Sequence, residues 1–194
     1  MKAEAVLERF KATGALLEGH FILTSGLHSE KYLQCALVLQ YPEQAEEFGR
    51  AIADQFRDQK IALVASPAIG GIVIGHEVAR ALGARFLWTE RDNGVMTLRR
   101  GFSVQRGERT LVVEDVVTTG GSTRETVDVL RGFGAEVVAA ASIVDRSAGG
   151  ADVGVLRVSL MSLDVPAVDP NECELCRSGV PAIKPGSRKI ADAR

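Results

Sequence analysis

The chain has 194 residues, 46% of them hydrophobic and 25% charged, with a formal net charge of −2, which suits one domain with an appendage. That balance offers no basic surplus for general nucleic-acid binding. Three cysteines, an odd number without a regular framework, argue against a secreted disulfide scaffold, and no apolar stretch reaches the ~18 residues of a membrane span.

The N-terminus carries acids and lacks the continuous apolar region of a signal peptide, so the expectation is a soluble cytoplasmic protein. Residues 2–13 predict a short amphipathic helix with Val6, Leu7 and Phe10 on one face. Strand-like pieces, Phe21–Thr24 and Tyr32–Cys35, flank a turn at 25–29. Pro42 opens a helix on which Phe48, Ile52 and Phe56 recur at four-residue spacing. A buried strand, Ile61–Ala65, precedes a Ser66–Gly71 loop and a helix to about Leu82, and Arg85–Trp88 is again strand-like. Residues 90–108 are polar, basic and glycine-punctuated, and read as a mobile excursion or a hairpin. Strand 109–115, helix 122–133 and strand 136–144 follow, with a last strand over Val155–Met161. This alternation predicts an α/β fold built on a doubly wound parallel sheet with helices on both faces.

Residues 111–123 carry the most chemistry. An apolar run, Leu111 to Val113, ends in Glu114 and Asp115; a loop of hydroxyls and glycines follows, then a helix with Val127, Leu130 and Phe133 spaced by three. Gly120 and Gly121 tolerate positive φ, so their amides can form a nest at the positive end of a helix dipole. Thr118, Thr119, Ser122 and Thr123 add hydroxyl donors. Two carboxylates ~4 Å apart repel by roughly 4 kcal/mol at an effective dielectric of 20, and a diol or a cation-bearing ligand relieves that. Phosphate donors beside diol acceptors describe a ribose 5-phosphate site. An ordinary helix cap at Ser122 would need one hydroxyl and no acid pair.

Other loops also follow the carboxyl ends of strands, where such sheets bind ligands. Gly70 and Gly71 let backbone amides face an anion at a helix start. The interval Gly70–Gly75 is followed by His76-Glu77 and not by Lys-Ser/Thr, so a P-loop is excluded. Arg91, Arg99 and Arg100 are candidates to meet a diphosphate, since the guanidinium fork matches phosphate oxygens. The bland alternative is a solvated hairpin. Arg146 stands beside Asp145 after the strand that follows the motif helix. It can meet a substrate carboxylate or pair with a neighbouring acid on the surface.

The segment from Glu114 to Thr123 resembles the phosphoribosyl-diphosphate motif of the type I phosphoribosyltransferases. Gly19 to Gln34 is similar to the N-terminal hood of the orotate-specific branch of that family, and the combined resemblance covers most of residues 14–150. It implies transfer of ribose 5-phosphate from phosphoribosyl diphosphate to orotate. Glu114 and Asp115 would meet the ribose hydroxyls, and Val116, Val117, Thr118, Thr119, Gly120, Gly121, Ser122 and Thr123 would cradle the 5-phosphate. Ser66, Pro67, Ala68, Ile69, Gly70 and Gly71 would bind pyrophosphate. Arg91, Arg99 and Arg100 would lie in a catalytic lid, and Thr118, Arg146, Lys31 and Tyr32 would receive orotate. The resemblance also implies Mg2+ held mainly through the substrate, with no dedicated protein cage, and a homodimer whose lid completes the neighbouring site. The chain departs from the family in two places: residues 90–108 contain no Lys or His, and Thr24 stands where a hood lysine is usual. A purine-base transferase and a nucleotide-sensing regulator are the competing functions.

The expected domain is residues 1–163, with the hood over approximately 1–40, and residues 164–194 form an irregular extension. Four of the six prolines lie there. Cys173 and Cys176 are spaced by two residues, whereas zinc takes about four ligands and Cys35 is the remaining cysteine. A metal shared across a dimer, a redox pair and two thiols packing a short loop stay open, and the pattern alone favours the last. The run Lys184 to Lys189 is basic, a tail that is either flexible or docked on a partner subunit.

Overall fold

The computed structural model describes residues 1–23 and 25–185. Thr24 and the end of the basic tail, Arg188 and Lys189, lie outside the described residues.

Helix α1 (Ala3–Ala12) leads into a hairpin of β1 (Leu16–Ile22) and β2 (His28–Leu33). Then come α2 (Cys35–Leu39), α3 (Pro42–Ala53), β3 (Leu63–Pro67), α4 (Gly71–Leu82), β4 (Arg85–Asp92) and β5 (Val95–Leu98). The chain continues through β6 (Arg109–Val117), α5 (Gly121–Gly132), β7 (Glu136–Asp145), β8 (Leu156–Ser162) and α6 (Glu174–Arg177). A six-stranded sheet has the order β5-β4-β3-β6-β7-β8, parallel except for the β4–β5 pair.

Successive side chains of a strand point to opposite faces, and here both faces are covered. Val64, Leu111, Val113, Ala139 and Ala141 pack with Phe48, Ile52, Ile74 and Val78 from α3 and α4. Leu63, Ala65, Val112 and Ala140 pack with Val127 and Leu130 of α5. Leu111 and Leu130 are fully buried, and truncating such a side chain to alanine costs about 2–5 kcal/mol. Pro42 sits at the start of α3 as expected, and Gly83, at φ 66°, ends α4 in the left-handed conformation. Among the described residues no helix is long and apolar enough to cross a membrane.

The strands of the sheet lie close to their expected positions, with informative shifts. The strand expected over 61–65 is β3 at Leu63–Pro67, so Ser66 and Pro67 are strand residues. Phe133, expected on the packed face of its helix, is the C-cap and 54% exposed. Phe56 is buried, yet beyond the end of α3. Residues 90–98 adopt the hairpin alternative: Asn93 (φ 49°) and Gly94 (φ 85°) form the tight turn that an Asn-Gly pair favours.

The hood departs most. Its strands begin earlier than expected, and Cys35 starts a helix and does not end a strand. His28 and Ser29, expected in the turn, and His20, just ahead of the first expected strand, are polar yet buried. Residues 164–185 cover them. Val168 bridges His28, Ile183 bridges Phe21, and the Ser29 hydroxyl donates to the Pro166 carbonyl at 2.8 Å. The extension therefore lines both edges of the hairpin.

Candidate active site

Strands β3 and β6 are neighbours in the sheet, but their following helices depart to opposite faces, α4 to one and α5 to the other. The crevice at such a divergence is where doubly wound sheets bind ligands. Two loops rise there, one after each strand.

Gly70 and Gly71 are pressed against the acid pair. A Cβ added at Gly70 would lie 2.8 Å from Asp115 Oδ1, and one at Gly71 would lie 3.0 Å from Glu114 Oε1. Glycine is required at these positions for close approach and not for positive φ, because Gly70 (φ −55°) and Gly71 are helical. Both acids lie inside β6, since the strand runs to Val117 rather than ending at residue 115. Their carboxylates still reach the same pair of glycines. Gly75 makes a third close approach: a Cβ there would fall 2.0 Å from Ser66 Oγ.

Burial dominates the electrostatics. Glu114 is 8% exposed, and desolvation, reinforced by Asp115, pushes its carboxyl well above the usual glutamate range. Among the described residues no ion pair neutralises either acid of the pair. Buried Cys35, a residue the sequence reading did not place here, lies against them; burial first, then Asp115 and Glu114, push its thiol up. Tyr32 shares the neighbourhood. Burial raises its hydroxyl, and Arg146 partly offsets that. Burial lowers Arg146 in turn, and its Nε is buried without a hydrogen-bond partner. A buried guanidinium nitrogen without a partner is costly, and an anionic ligand would repay it.

Asp145 does not pair with Arg146. Burial alone would raise Asp145, but hydrogen bonds from Ser147 and Arg157 outweigh it and hold the carboxyl below its ordinary range. Asp145 thus fastens the loop after β7 through Ser147 and the Gly149 amide, leaving Arg146 free of it.

At the mouth of β6, Gly120 takes φ 80° and forms the N-cap of α5, while Gly121 is already helical. A Cβ on Gly120 would meet Val153 Cγ1 at 2.9 Å as well as straining the backbone. No side chain caps this helix, and its first turn holds no acid. Ser122 is not a cap. Thr118, Thr119 and Ser122 are exposed around these amides, an arrangement suited to an anion.

A phosphoribosyl transferase domain model matches residues 37–164. The orotate phosphoribosyltransferase of Caldicellulosiruptor bescii is 51% identical over 97% of this chain and 100% of its own length. That of Pelotomaculum thermopropionicum is 53% identical over 98% and 100%. The chain belongs to the orotate phosphoribosyltransferases of that family. The crystal structure of orotate phosphoribosyltransferase from Aeropyrum pernix superposes with a TM-score of 0.64 at 27% identity, covering 84% of this chain and 94% of that one. The Mycobacterium tuberculosis H37Rv orotate phosphoribosyltransferase in complex with 5-phospho-alpha-D-ribosyl 1-diphosphate gives 0.64 at 26% identity, covering 81% and 96%.

For a phosphoribosyltransferase, the structure groups some expected residues and separates others. It brings Gly70, Gly71, Glu114, Asp115, Tyr32 and Arg146 together. Lys31 lies next to Tyr32 on β2 and lines a separate cavity of about 480 Å³ with Asp164, Pro166 and Cys173. Ser66 and Thr123 are buried, whereas Ile69 is 82% exposed.

The hairpin arginines sit on acids of their own chain. Arg100 pairs with Glu90 at 3.0 Å and lies over the Trp88 ring, and Arg99 is 3.6 Å from Asp92. Arg91 approaches Glu125 to 2.7 Å without hydrogen-bond alignment. Missed by sequence reasoning were Cys35, Ser147 and Arg157, none of which belongs to a contiguous motif.

Proposed function

We propose that the chain transfers ribose 5-phosphate from phosphoribosyl diphosphate to N1 of orotate, giving orotidine 5′-phosphate and pyrophosphate for pyrimidine nucleotide synthesis. Full-length similarity to curated orotate phosphoribosyltransferases supports the reaction. The observation that carries the choice of base is Arg146, a half-buried cation without a partner at Nε, beside Tyr32 at the acid pair. Orotate is an anion; purine bases are neutral or nearly so. A guanidinium that pairs with no acid among the described residues and keeps a buried Nε without a partner favours the former.

The residues divide the work by position. Glu114 and Asp115 hold the ribose hydroxyls, and Val116 to Thr123 hold the 5-phosphate through the α5 amides and the Thr118, Thr119 and Ser122 hydroxyls. The Ser66–Gly71 backbone receives the leaving diphosphate. Arg91, Arg99 and Arg100 exchange their intrachain acids for that diphosphate as the hairpin closes. Arg146, Tyr32 and Thr118 orient orotate, with Lys31 at the outer edge. The C1–O bond breaks toward an oxocarbenium-like centre, so fixed dipoles and charges, and no covalent intermediate, do the stabilising.

Mg2+ fits this site, because the acid pair supplies oxygen donors and no cation contributes to the Glu114 environment. Held mainly through the substrate beside Glu114 and Asp115, Mg2+ would supply positive charge that neutralises the leaving diphosphate. We infer a homodimer in which the β4–β5 hairpin of one subunit covers the site of the other, working in the cytoplasm. The phosphoribosyltransferase unit spans residues 1–163 with the extension serving its hood.

Mixing the protein with orotate, phosphoribosyl diphosphate and Mg2+ should deplete orotate absorbance and release pyrophosphate. Consumption of adenine or xanthine in place of orotate would establish the purine alternative. Retention of RNA or DNA on a filter at moderate salt without any turnover would establish a regulator.

A further inference from the structure

We propose that His20, His28, Cys173 and Cys176 form a structural Zn2+ site that clasps the C-terminal extension onto the hood. The four residues each present one donor atom, and these atoms lie within 4.8 Å of one another. His20, His28 and Cys173 are 3%, 7% and 4% exposed.

The spacing is that of a tetrahedron about to close. Zn–S bonds of about 2.3 Å and Zn–N bonds of about 2.0–2.1 Å set ligand-to-ligand edges of roughly 3.3–3.8 Å. Cys173 Sγ lies 3.3 Å from His20 Nε2. Cys176 Sγ lies 3.7 Å from the same nitrogen and 3.3 Å from His28 Nδ1. The two ring nitrogens are 2.8 Å apart, so the rings need part by only about half an ångström to admit the ion.

The surroundings are built for ligation. His20 Nδ1 donates to the Val180 carbonyl at 2.8 Å, which fixes the tautomer that leaves Nε2 with a free lone pair. A register shift in β1 between Glu18 and Phe21 sets the aim of His20. Cys173 is the N-cap of α6, and Cys176 follows within its single turn. Cys173 and Cys176 are free thiols, so no disulfide occupies them. Two thiolates and two imidazoles in tetrahedral disposition select Zn2+ over the hard cations.

On this reading the two thiols are metal ligands and do more than pack a short loop. The missing ligands come neither from Cys35, which lies at the acid pair, nor from a partner subunit. They come from the hood of the same chain.

The consequence is mechanical. A two-stranded hairpin is marginal alone. Here one ion would join both of its strands to residues about 150 positions away, and β2 also carries Tyr32 to the acid pair. Binding would release the two thiol protons and couple metal to folding of the clasp.

The test measures metal in the full chain, expressed with zinc and purified without chelator. The proposal expects about one Zn2+ per chain, falling at least about tenfold in Cys173→Ser and in His28→Ala. Co2+ exchanged into the wild-type protein should give a thiolate-to-cobalt charge-transfer band and tetrahedral visible bands, with the former weakened in Cys176→Ser. If a variant fails to fold, the wild-type zinc content and cobalt spectrum decide alone. Less than about a tenth of an equivalent of metal, with no cobalt–thiolate band after reduction, would overturn the site, whether the thiols prove free or joined as a disulfide. Neither readout depends on catalytic activity, so loss of the zinc site and loss of the proposed reaction are separable.

Discussion

The acid-pair crevice and the hood clasp are assembled in opposite ways. Most of the crevice comes from one contiguous segment, Glu114 to Thr123, joined by Gly70 and Gly71 from the start of α4, the helix that follows the neighbouring strand. The clasp draws His20 and His28 from a hairpin and Cys173 and Cys176 from an irregular tail. In the crevice, backbone geometry does most of the positioning, so small residues and hydroxyls mark it. In the clasp, four side chains converge with almost no local pattern to announce them.

The first way to sharpen this contrast is to remove the acid pair. Glu114→Gln with Asp115→Asn should lower turnover at least about a hundredfold, the scale of losing a group that stabilises charge at the reacting centre. Stability should not fall, because neither acid has a basic partner to abandon among the described residues. Steady-state kinetics beside a thermal melt reads both, and unchanged turnover in folded protein would break the assignment. Clasp mutations should do the reverse: Cys173→Ser should lower the melting temperature and spare much of the turnover.

Arg146→Ala should come next in size. The Michaelis constant for orotate should rise roughly ten- to a hundredfold, the worth of a charge-assisted hydrogen bond or two, while that for phosphoribosyl diphosphate moves little. An equal rise for both substrates would place Arg146 elsewhere in the reaction.

Gly70→Ala should be milder for folding than for function. Its Cβ would press on Asp115 Oδ1, a side-chain atom, at 2.8 Å. The expected result is weakened diphosphate binding with a melting temperature near that of the parent. Gly120→Ala should cost both, because φ 80° strains alanine and Val153 blocks the new methyl; left-handed strain alone is worth about 1–3 kcal/mol.

The smallest effect concerns pH. The folded protein holds the Glu114 proton more tightly than the unfolded chain, so folding favours the protonated form. The cost of ionising this buried acid is absent below the ordinary carboxyl value of 4.5 and grows as pH rises above it. Glu114→Gln should therefore be more stable than the parent at neutral pH, with the gain vanishing toward acid. Denaturant titrations at several pH values measure it; a pH-independent difference would contradict the buried-acid account.

Legibility in the sequence followed the same divide. Strands β3, β6 and β7 were readable because both-faced burial makes short apolar runs between turn signals, as at Leu111 to Val113. The β1–β2 hairpin was poorly readable because its buried residues include His20, His28 and Ser29, whose shelter comes from residues 164–185. The Glu114–Asp115 pair stood out by composition, and Gly70 and Gly71 by spacing. Cys35 did not, since burial at the acid pair depends on α2, a helix with no sequence signal of its own. The chain has three histidines, and noticing that two flank one turn was the clue available for the clasp.

The most direct measurement is a calorimetric titration of phosphoribosyl diphosphate with Mg2+ into the wild-type protein and into the Glu114→Gln, Asp115→Asn variant. A crevice built to grip the sugar phosphate predicts saturable binding to the first and an affinity weaker by about tenfold or more in the second. No heat from the wild-type protein, or equal affinity in the two, would contradict it.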